Sequence, residues 1–314
     1  MCTMKKKFQM IGFALSVLLV TLPVATVGAD NAASGKQKKE KTTESALGVK
    51  PVTGSWINLA YKDVRNKYTN PQSFDNMDPK LWEAKVRELS AMGIEYLVLM
   101  EVANEGKSYY PSQIMPWWYN KDKKSPVDAI LDEAAKHNMK IFMSSGWAKD
   151  QDDNLLDPAI KERQLQIMEE LASLYKNHKA FYGWYLPVED CLCPIFAEHA
   201  VQSVNTLSEK AKKLAPGKKT LISPYGIGLS EFDNPEYEKQ MQKLKVDIIA
   251  YQDEVGCVRD QFTLPRLKKN WQRLRDIHNR LNIEMWANCE TFTWEEGTND
   301  RTSALIPAAY PRLL

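Results

Sequence analysis

The chain has 314 residues, 44% of them hydrophobic and 26% charged, with a formal net charge of +2. That composition excludes a fibrous or wholly disordered chain and leaves room for one large domain or two small ones. The basic excess is local: residues 1–50 hold eight of the 42 basic residues and three of the 40 acids, which leaves −3 for residues 51–314. A slightly acidic body argues against a nucleic-acid partner, which takes a basic face.

Residues 1–29 read as a secretory signal peptide. Lys5, Lys6 and Lys7 precede the apolar run Ile11 to Val20, and Val27-Gly28-Ala29 places small residues where a signal peptidase cuts. The apolar run is short for a membrane span, so the expectation is export to the periplasm or the exterior with no stable membrane insertion after cleavage. An uncleaved anchor is the alternative reading. Cys2 lies before the run and is removed with it, and no Cys directly follows the run to carry a lipid. Residues 30–50 are polar, low in complexity and without apolar period, and read as a disordered tether. Residues 51–314 form the expected folded domain.

Trp56 to Tyr61 is the first strand candidate, followed by a long polar loop from Lys62 to Met77. Asp78-Pro79 supplies an N-cap and a first-turn proline, with Trp82, Val86 and Leu89 at helical spacing up to Gly93. Ile94 to Val102 is an apolar run of the kind buried on both faces of a parallel sheet. A loop with Trp117, Trp118 and Tyr119 leads to Ser125-Pro126 and a helix carrying Val127, Ile130, Leu131 and Ala134. Lys140 to Trp147 is the third strand. Asp157-Pro158 opens a long helix whose stripe of Ile160, Ile167, Met168, Leu171 and Leu174 is interrupted by Gln164. The fourth strand spans Phe181 to Glu189, and a helix from about Pro194 to Leu214 follows. Strand five (Thr220 to Tyr225), a helix after Asn234-Pro235, strand six (Val246 to Gln252), a helix after Leu264-Pro265 and strand seven (Ile283 to Glu290) complete the alternation.

This α/β alternation points to a (β/α)8 TIM barrel. No Gly-x-Gly-x-x-Gly follows any strand, which removes the dinucleotide-binding signal of an open sheet. Only seven strands are readable. Residues 302–314 have room for part of a helix and no strand, so the expectation is a barrel truncated before its eighth strand.

In such barrels the active site lies at the C-terminal ends of the strands. The acids there are Glu101, Glu189, Asp190, Asp253, Glu254 and Glu290. Strand alternation puts Trp286, Asn288 and Glu290 on one face and aligns Tyr185, Pro187 and Glu189, so Glu189 and Glu290 can both overhang the mouth. Paired carboxylates suit glycoside hydrolysis: one, protonated, donates to the leaving oxygen, and the other, ionised, attacks or stabilises the anomeric carbon. Each acid taken singly is as readily a strand-end cap or the partner of a rim Lys or Arg. Trp56, Tyr61, Trp117, Trp118, Tyr119, Trp147, Tyr185, Tyr225, Tyr251, Trp286 and Trp294 offer flat faces to sugar rings. The alternative for them is core packing, most directly for Trp184 and Trp286.

His137, His178, His199 and His278 all fall in or near helices on the barrel's outside, which argues against a base or metal cluster built from them. The expectation is no metal and no cofactor. Cys191, Cys193, Cys257 and Cys289 remain after cleavage. The spacing of Cys191 and Cys193 is tight for a bridge, so each is expected to pair with Cys257 or Cys289. A metal site is the alternative, disfavoured because zinc sites place two to four residues between paired Cys. No Gly-x-Ser-x-Gly elbow and no phosphate loop is present.

Gly183-Trp-Tyr-Leu-Pro-Val-Glu189, Ala250-Tyr-Gln-Asp-Glu-Val-Gly256 and Trp286-Ala-Asn-Cys-Glu-Thr-Phe292 resemble the strand ends of a secreted bacterial barrel family, domain of unknown function 4434. The resemblance runs from about Gly54 to the C-terminus. That family is similar to the clan of retaining glycosidases whose acid/base Glu ends strand four and whose nucleophile Glu ends strand seven. The resemblance thus implies Glu189 as acid/base and Glu290 as nucleophile, with Gln252 and Asp253 lining the sugar site. The clan places Asn before the strand-four Glu to hold the sugar's 2-hydroxyl, whereas Val188 stands there in this chain. The expected function is a glycoside hydrolase acting on a polysaccharide or glycan, the alternative a non-catalytic carbohydrate-binding barrel. The expected substrate-binding residues are Trp56, Glu101, Trp117, Trp118, Trp147, Tyr185, Tyr251, Gln252, Asp253, Trp286 and Asn288.

Overall fold

The computed structural model describes residues 51–59, 78–149, 153–191, 193–256, 263–294 and 305–307. The expected signal segment and tether, Tyr61, the loop 62–77, Cys257 and the Trp294 side chain lie outside what is described. Seven strands form one sheet in chain order: β1 (Gly54–Ile57), β2 (Tyr96–Leu99), β3 (Lys140–Ser144), β4 (Phe181–Tyr185), β5 (Lys219–Ile222), β6 (Ile248–Gln252) and β7 (Glu284–Asn288). Every neighbouring pair is parallel. The six connections each carry a helix: α1 (Pro79–Ala91), α2 (Pro126–Lys136), α3 (Pro158–Tyr175), α4 (Glu198–Leu214), α5 (Pro235–Gln242) and α6 (Leu264–His278).

Local chemistry sets the helix starts. The side chains of Asp78, Ser125, Asp157, Asn234 and Thr263 accept a backbone N–H of the first turn, and each is followed by a proline at one of the first two helical positions. The exception is α4, expected from Pro194. It begins at Glu198 after Ala197, which has no capping side chain, while Phe196 is buried and the Pro194 carbonyl accepts from Glu231 N at 2.8 Å.

The sheet is rolled. In a flat sheet β7 would lie about 24 Å from β2, five steps at roughly 4.8 Å each, yet the rings of Tyr96 on β2 and Trp286 on β7 are 5.2 Å apart. Val98, Phe142, Tyr185, Leu221, Ile248 and Ala250 fill the interior, packed against Trp56, Tyr96, Tyr182 and Trp286. The alternate residues, among them Leu97, Met143, Trp184, Ile222, Ile249 and Tyr251, join the helices in the outer core. Two apolar faces per strand explain the continuous hydrophobic runs. Gly183 permits close packing between neighbouring strands: a Cβ there would lie 2.6 Å from the Lys219 carbonyl and 2.7 Å from the Phe142 ring. The architecture is the (β/α)8 barrel type, with seven strands described.

The structure departs from expectation at several points. β4 stops at Tyr185 and β7 at Asn288, so Glu189 and Glu290 stand on loops beyond their strands. Residues 305–307, where no strand was expected, pair antiparallel with residues 292–294. Cys191 and Cys193 are bonded to each other, against the expected pairing with Cys257 or Cys289. Their Cα atoms are 5.3 Å apart, within the range a disulfide spans. Cys289 is a free, exposed thiol. Gln164 breaks the apolar stripe of α3 for a reason: it is buried, and its amide donates to Ser145 Oγ at 2.7 Å and to the Gly146 carbonyl, tying α3 to the loop after β3.

Candidate active site

The acids converge at the C-terminal end of β6. Ile248 and Ala250 point into the barrel, so alternation brings Gln252, the last residue of the strand, to the same face at the mouth. Its Nε2 donates to Glu189 Oε1 at 3.2 Å and to the Ser223 carbonyl at 2.8 Å. Asn288, the last residue of β7, donates to Ser223 Oγ at 3.0 Å, and its carbonyl accepts from Asp253 N at 3.1 Å. Asp253 Oδ1 in turn accepts from Val255 N at 3.2 Å and from Glu290 N at 3.1 Å. Glu290 is only 8% exposed, and its Oε2 accepts from Gly256 N at 2.6 Å. Glu189 and Glu290 are thereby bound to adjacent residues of one strand end, Gln252 and Asp253.

The other side of the mouth is built from β2 and β4. Glu101 is 1% exposed and its Oε1 accepts from Leu59 N at 3.2 Å. The Tyr185 hydroxyl is buried in the barrel interior with Glu189 and Glu101 as its nearest negative charges. Burial first, and those carboxylates second, hold its pKa far above the ordinary tyrosine value, so it remains a neutral hydroxyl. Trp147, also buried, follows β3, and its backbone N–H donates to the Ala103 carbonyl at 2.9 Å. A Cβ on the preceding Gly146, whose φ is +69°, would meet the Ala103 backbone at 2.6 Å, so glycine permits this close approach.

The structure gathers Glu101, Tyr185, Glu189, Gln252, Asp253, Asn288 and Glu290 at the mouth. Other expected residues go elsewhere. Tyr251 faces away from the mouth, into the outer core, where its hydroxyl meets His278 Nε2 at 2.7 Å. A residue next to the inward-facing Gln252 must point outward. Trp286 shares the face of Asn288 but lies two residues lower, inside the barrel against Tyr96 and Phe142, and Trp56 joins the same interior cluster. Trp117 and Trp118 are half-buried and packed within their own loop. Trp117 stacks on Tyr119 at 5.1 Å with Lys121 over its ring, and Trp118 stacks on Tyr109 at 6.1 Å with Lys107 over its ring.

Three features escape sequence reasoning. Ser223 receives both Gln252 and Asn288, and nothing in Ile222-Ser223-Pro224 signals it. His199, read as lying outside the barrel, brings Nε2 to 2.7 Å from Asp190 Oδ2. It is the second residue of α4, and the N-termini of barrel helices open on the same rim as the strand ends, a signal that the alternation alone could have given. Glu254, noted only as a strand-end acid, is buried and its pKa is pushed up to about 7 by that burial, with the Asp253 charge adding to the rise and two backbone amides opposing it.

Among the described residues, no group of three or more His, Cys, Asp or Glu side chains is arranged for a metal ion, and no helix is long and apolar enough to cross a membrane. A surface recess lined by Lys219, Asp247, Leu281, Asn282, Ile283 and Glu284 lies at the opposite, N-terminal end of β5 to β7.

A rolled parallel sheet with carboxylates gathered at the ends of β2, β4, β6 and β7 defines a barrel of the (β/α)8 type with an acidic mouth. Its fold is shared by a Bacteroides thetaiotaomicron protein provisionally named an α-L-fucosidase, with 19% identity over 88% of this chain and 85% of that one at a TM-score of 0.62. The chain belongs to the family described as Domain of unknown function (DUF4434), whose model matches residues 52–314. An intracellular xylanase from Thermoanaerobacterium saccharolyticum also matches, with 15% identity over 71% of this chain and 74% of the other, at a TM-score of 0.45. No curated protein sequence matches the chain.

Proposed function

We propose that the protein is an exported glycoside hydrolase that cleaves glycosidic bonds in a polysaccharide or glycan by a two-carboxylate retaining mechanism. The observation that carries the reading is the convergence on one strand end: Gln252 holds the Glu189 carboxyl, Asp253 accepts the Glu290 backbone N–H, and Gly256 N just beyond holds the Glu290 carboxyl. In this mechanism a Glu290 oxygen attacks the anomeric carbon while Glu189 protonates the departing glycosidic oxygen. Glu189 then takes a proton from water as that water's oxygen displaces Glu290. The Gly256 N–H on Glu290 Oε2 and the Gln252 amide on Glu189 orient the two groups. Tyr185, kept protonated, is a neutral hydroxyl that feels the charges of Glu189 and Glu101. The substrate is carbohydrate, and the named residues complete the cycle without a cofactor.

Two features support export: the basic and apolar leader, and the Cys191–Cys193 disulfide, a bond that persists in oxidising compartments. One observation favours a second reading, a barrel that binds glycans without cleaving them: Val188, beside Glu189, packs its apolar side chain against the core and offers a sugar no hydrogen bond.

The test is release of reducing ends from a panel of polysaccharides by the full chain and by Glu290→Gln. Turnover should disappear in the variant, a loss beyond the roughly 10²–10⁴-fold typical of a general acid or base, while binding to the responsive polysaccharide persists. Equal turnover by both proteins would rule out Glu290 as nucleophile; binding with no turnover by either would favour the binding-only barrel.

A further inference from the structure

The end of β6 carries two successive carboxylates that serve opposite neighbours. Asp253 turns to the loop after β7, where it accepts Glu290 N at 3.1 Å. Glu254 has a φ of +53°, a left-handed conformation that a residue with a Cβ adopts only when its surroundings impose it. That turn sends its side chain to the loop after β5, where Oε2 accepts from Gly226 N at 2.7 Å and Ile227 N at 3.0 Å. The same loop is held from below by Asn270 of α6, which donates to the Ile227 carbonyl at 2.8 Å. One residue before Gly226, Tyr225 N donates to the Asp190 carbonyl at 3.3 Å, and Tyr225 forms a parallel bridge with Cys191. Backbone contacts therefore run from the Glu254 carboxyl through Gly226 and Tyr225 to Asp190, the neighbour of Glu189.

We propose that Glu254 is a positioning residue for Glu189: its buried carboxyl clamps the loop after β5, and that loop holds the segment bearing Glu189 and Asp190 in register at the mouth. The role of Glu189 rests on the hydrolase reading, whereas the clamp does not. The titratable groups facing Glu254 are Asp253 on its own strand end and Tyr225 on the clamped loop. The ionised carboxylate holds both amides with charge-assisted bonds, and protonation weakens its acceptor oxygen. The clamp thus tightens as the pH rises through the neutral range.

The test follows the Gly226 and Ile227 amide resonances of the full chain from about pH 5 to 9 by NMR, in the wild type, Glu254→Gln and Glu254→Ala. Reducing-end release from xylan, mannan and mixed-linkage β-glucan is measured alongside. In the wild type the two amides should titrate together with a midpoint near 7. In Glu254→Gln the amide oxygen still accepts but the side chain no longer ionises, so the clamp stays and the titration vanishes. In Glu254→Ala the amides should exchange with solvent at least about tenfold faster. On a responsive polysaccharide Glu254→Ala should lose about tenfold or more in kcat with KM little changed. Glu254→Gln should restore most of that rate and remove the neutral inflection of the pH profile. Amides that do not titrate, or a Glu254→Ala variant with wild-type kcat and pH profile, would overturn the proposal. Titrating amides in a wild type that cleaves none of the three polysaccharides would instead count against the hydrolase reading and the role given to Glu189, leaving the clamp in place.

Discussion

Two buried glutamates show what separates the outer layer of this barrel from its mouth. Glu133, on α2, faces two cations, Lys136 at 2.7 Å and Arg87 at 3.1 Å, with His137 Nε2 at 3.3 Å. The Lys136 hydrogen bond and its companions overcome burial and bring its pKa down to about 2. Glu254, at the end of β6, meets two backbone amides and the like charge of Asp253, and burial pushes it up to about 7. The same side chain is a permanent anion in one place and a proton-exchanging group in the other. Glu133 in the helix layer is compensated by neighbouring cations, whereas Glu254 at a strand end is pushed up chiefly by its own burial, a perturbation of the kind that clusters at functional sites.

The comparison breaks if the two glutamates respond alike to pH. For Glu254 the folded pKa lies above the unfolded one, so between about pH 4.5 and 7 the unfolded chain gives up its proton first and stability falls as the pH rises. At 1.36 kcal/mol per unit the total is roughly 3 kcal/mol. Glu254→Gln should flatten that slope, which urea midpoints at acid and neutral pH would show; an unchanged slope would remove Glu254 from the account.

Glu133 works in the opposite sense. Its folded pKa lies below the unfolded one, so its contribution is present above about pH 4.5 and lost as the pH falls toward 2. Arg87 and Lys136 are half or more exposed, with side-chain exposures of 50% and 64%, so solvent screening reduces the effect of Glu133→Gln to about 1–2 kcal/mol. Thermal melts at pH 7 should show that loss, shrinking in high salt. A variant as stable as the wild type would mean that the ion pairs of the helix layer are decorative.

Much of the fold was legible because it is written locally. Asp78-Pro79, Ser125-Pro126, Asp157-Pro158 and Asn234-Pro235 announce four of the six helices, and continuous apolar runs announce strands covered on both faces. The strand-end acids followed from that alternation. What was not legible depends on direction and on contacts distant in sequence. Tyr251 and Gln252 are adjacent on β6 and cannot both face the mouth, so Tyr251 packs on His278. Trp286 has the right face at the wrong height. The Cys191–Cys193 bridge depends on how the chain turns after β4, and the role of Glu254 depends on a left-handed backbone that a glutamate seldom adopts. The pairing of residues 292–294 with 305–307 joins segments that no periodicity links.

The measurement closest to the central claim is the anomeric configuration of the first sugar released from a responsive polysaccharide, followed by proton NMR before mutarotation. A product that keeps the substrate's configuration is the outcome predicted for Glu189 and Glu290 acting as acid/base and nucleophile; an inverted product would contradict that assignment and require a water between the two carboxylates.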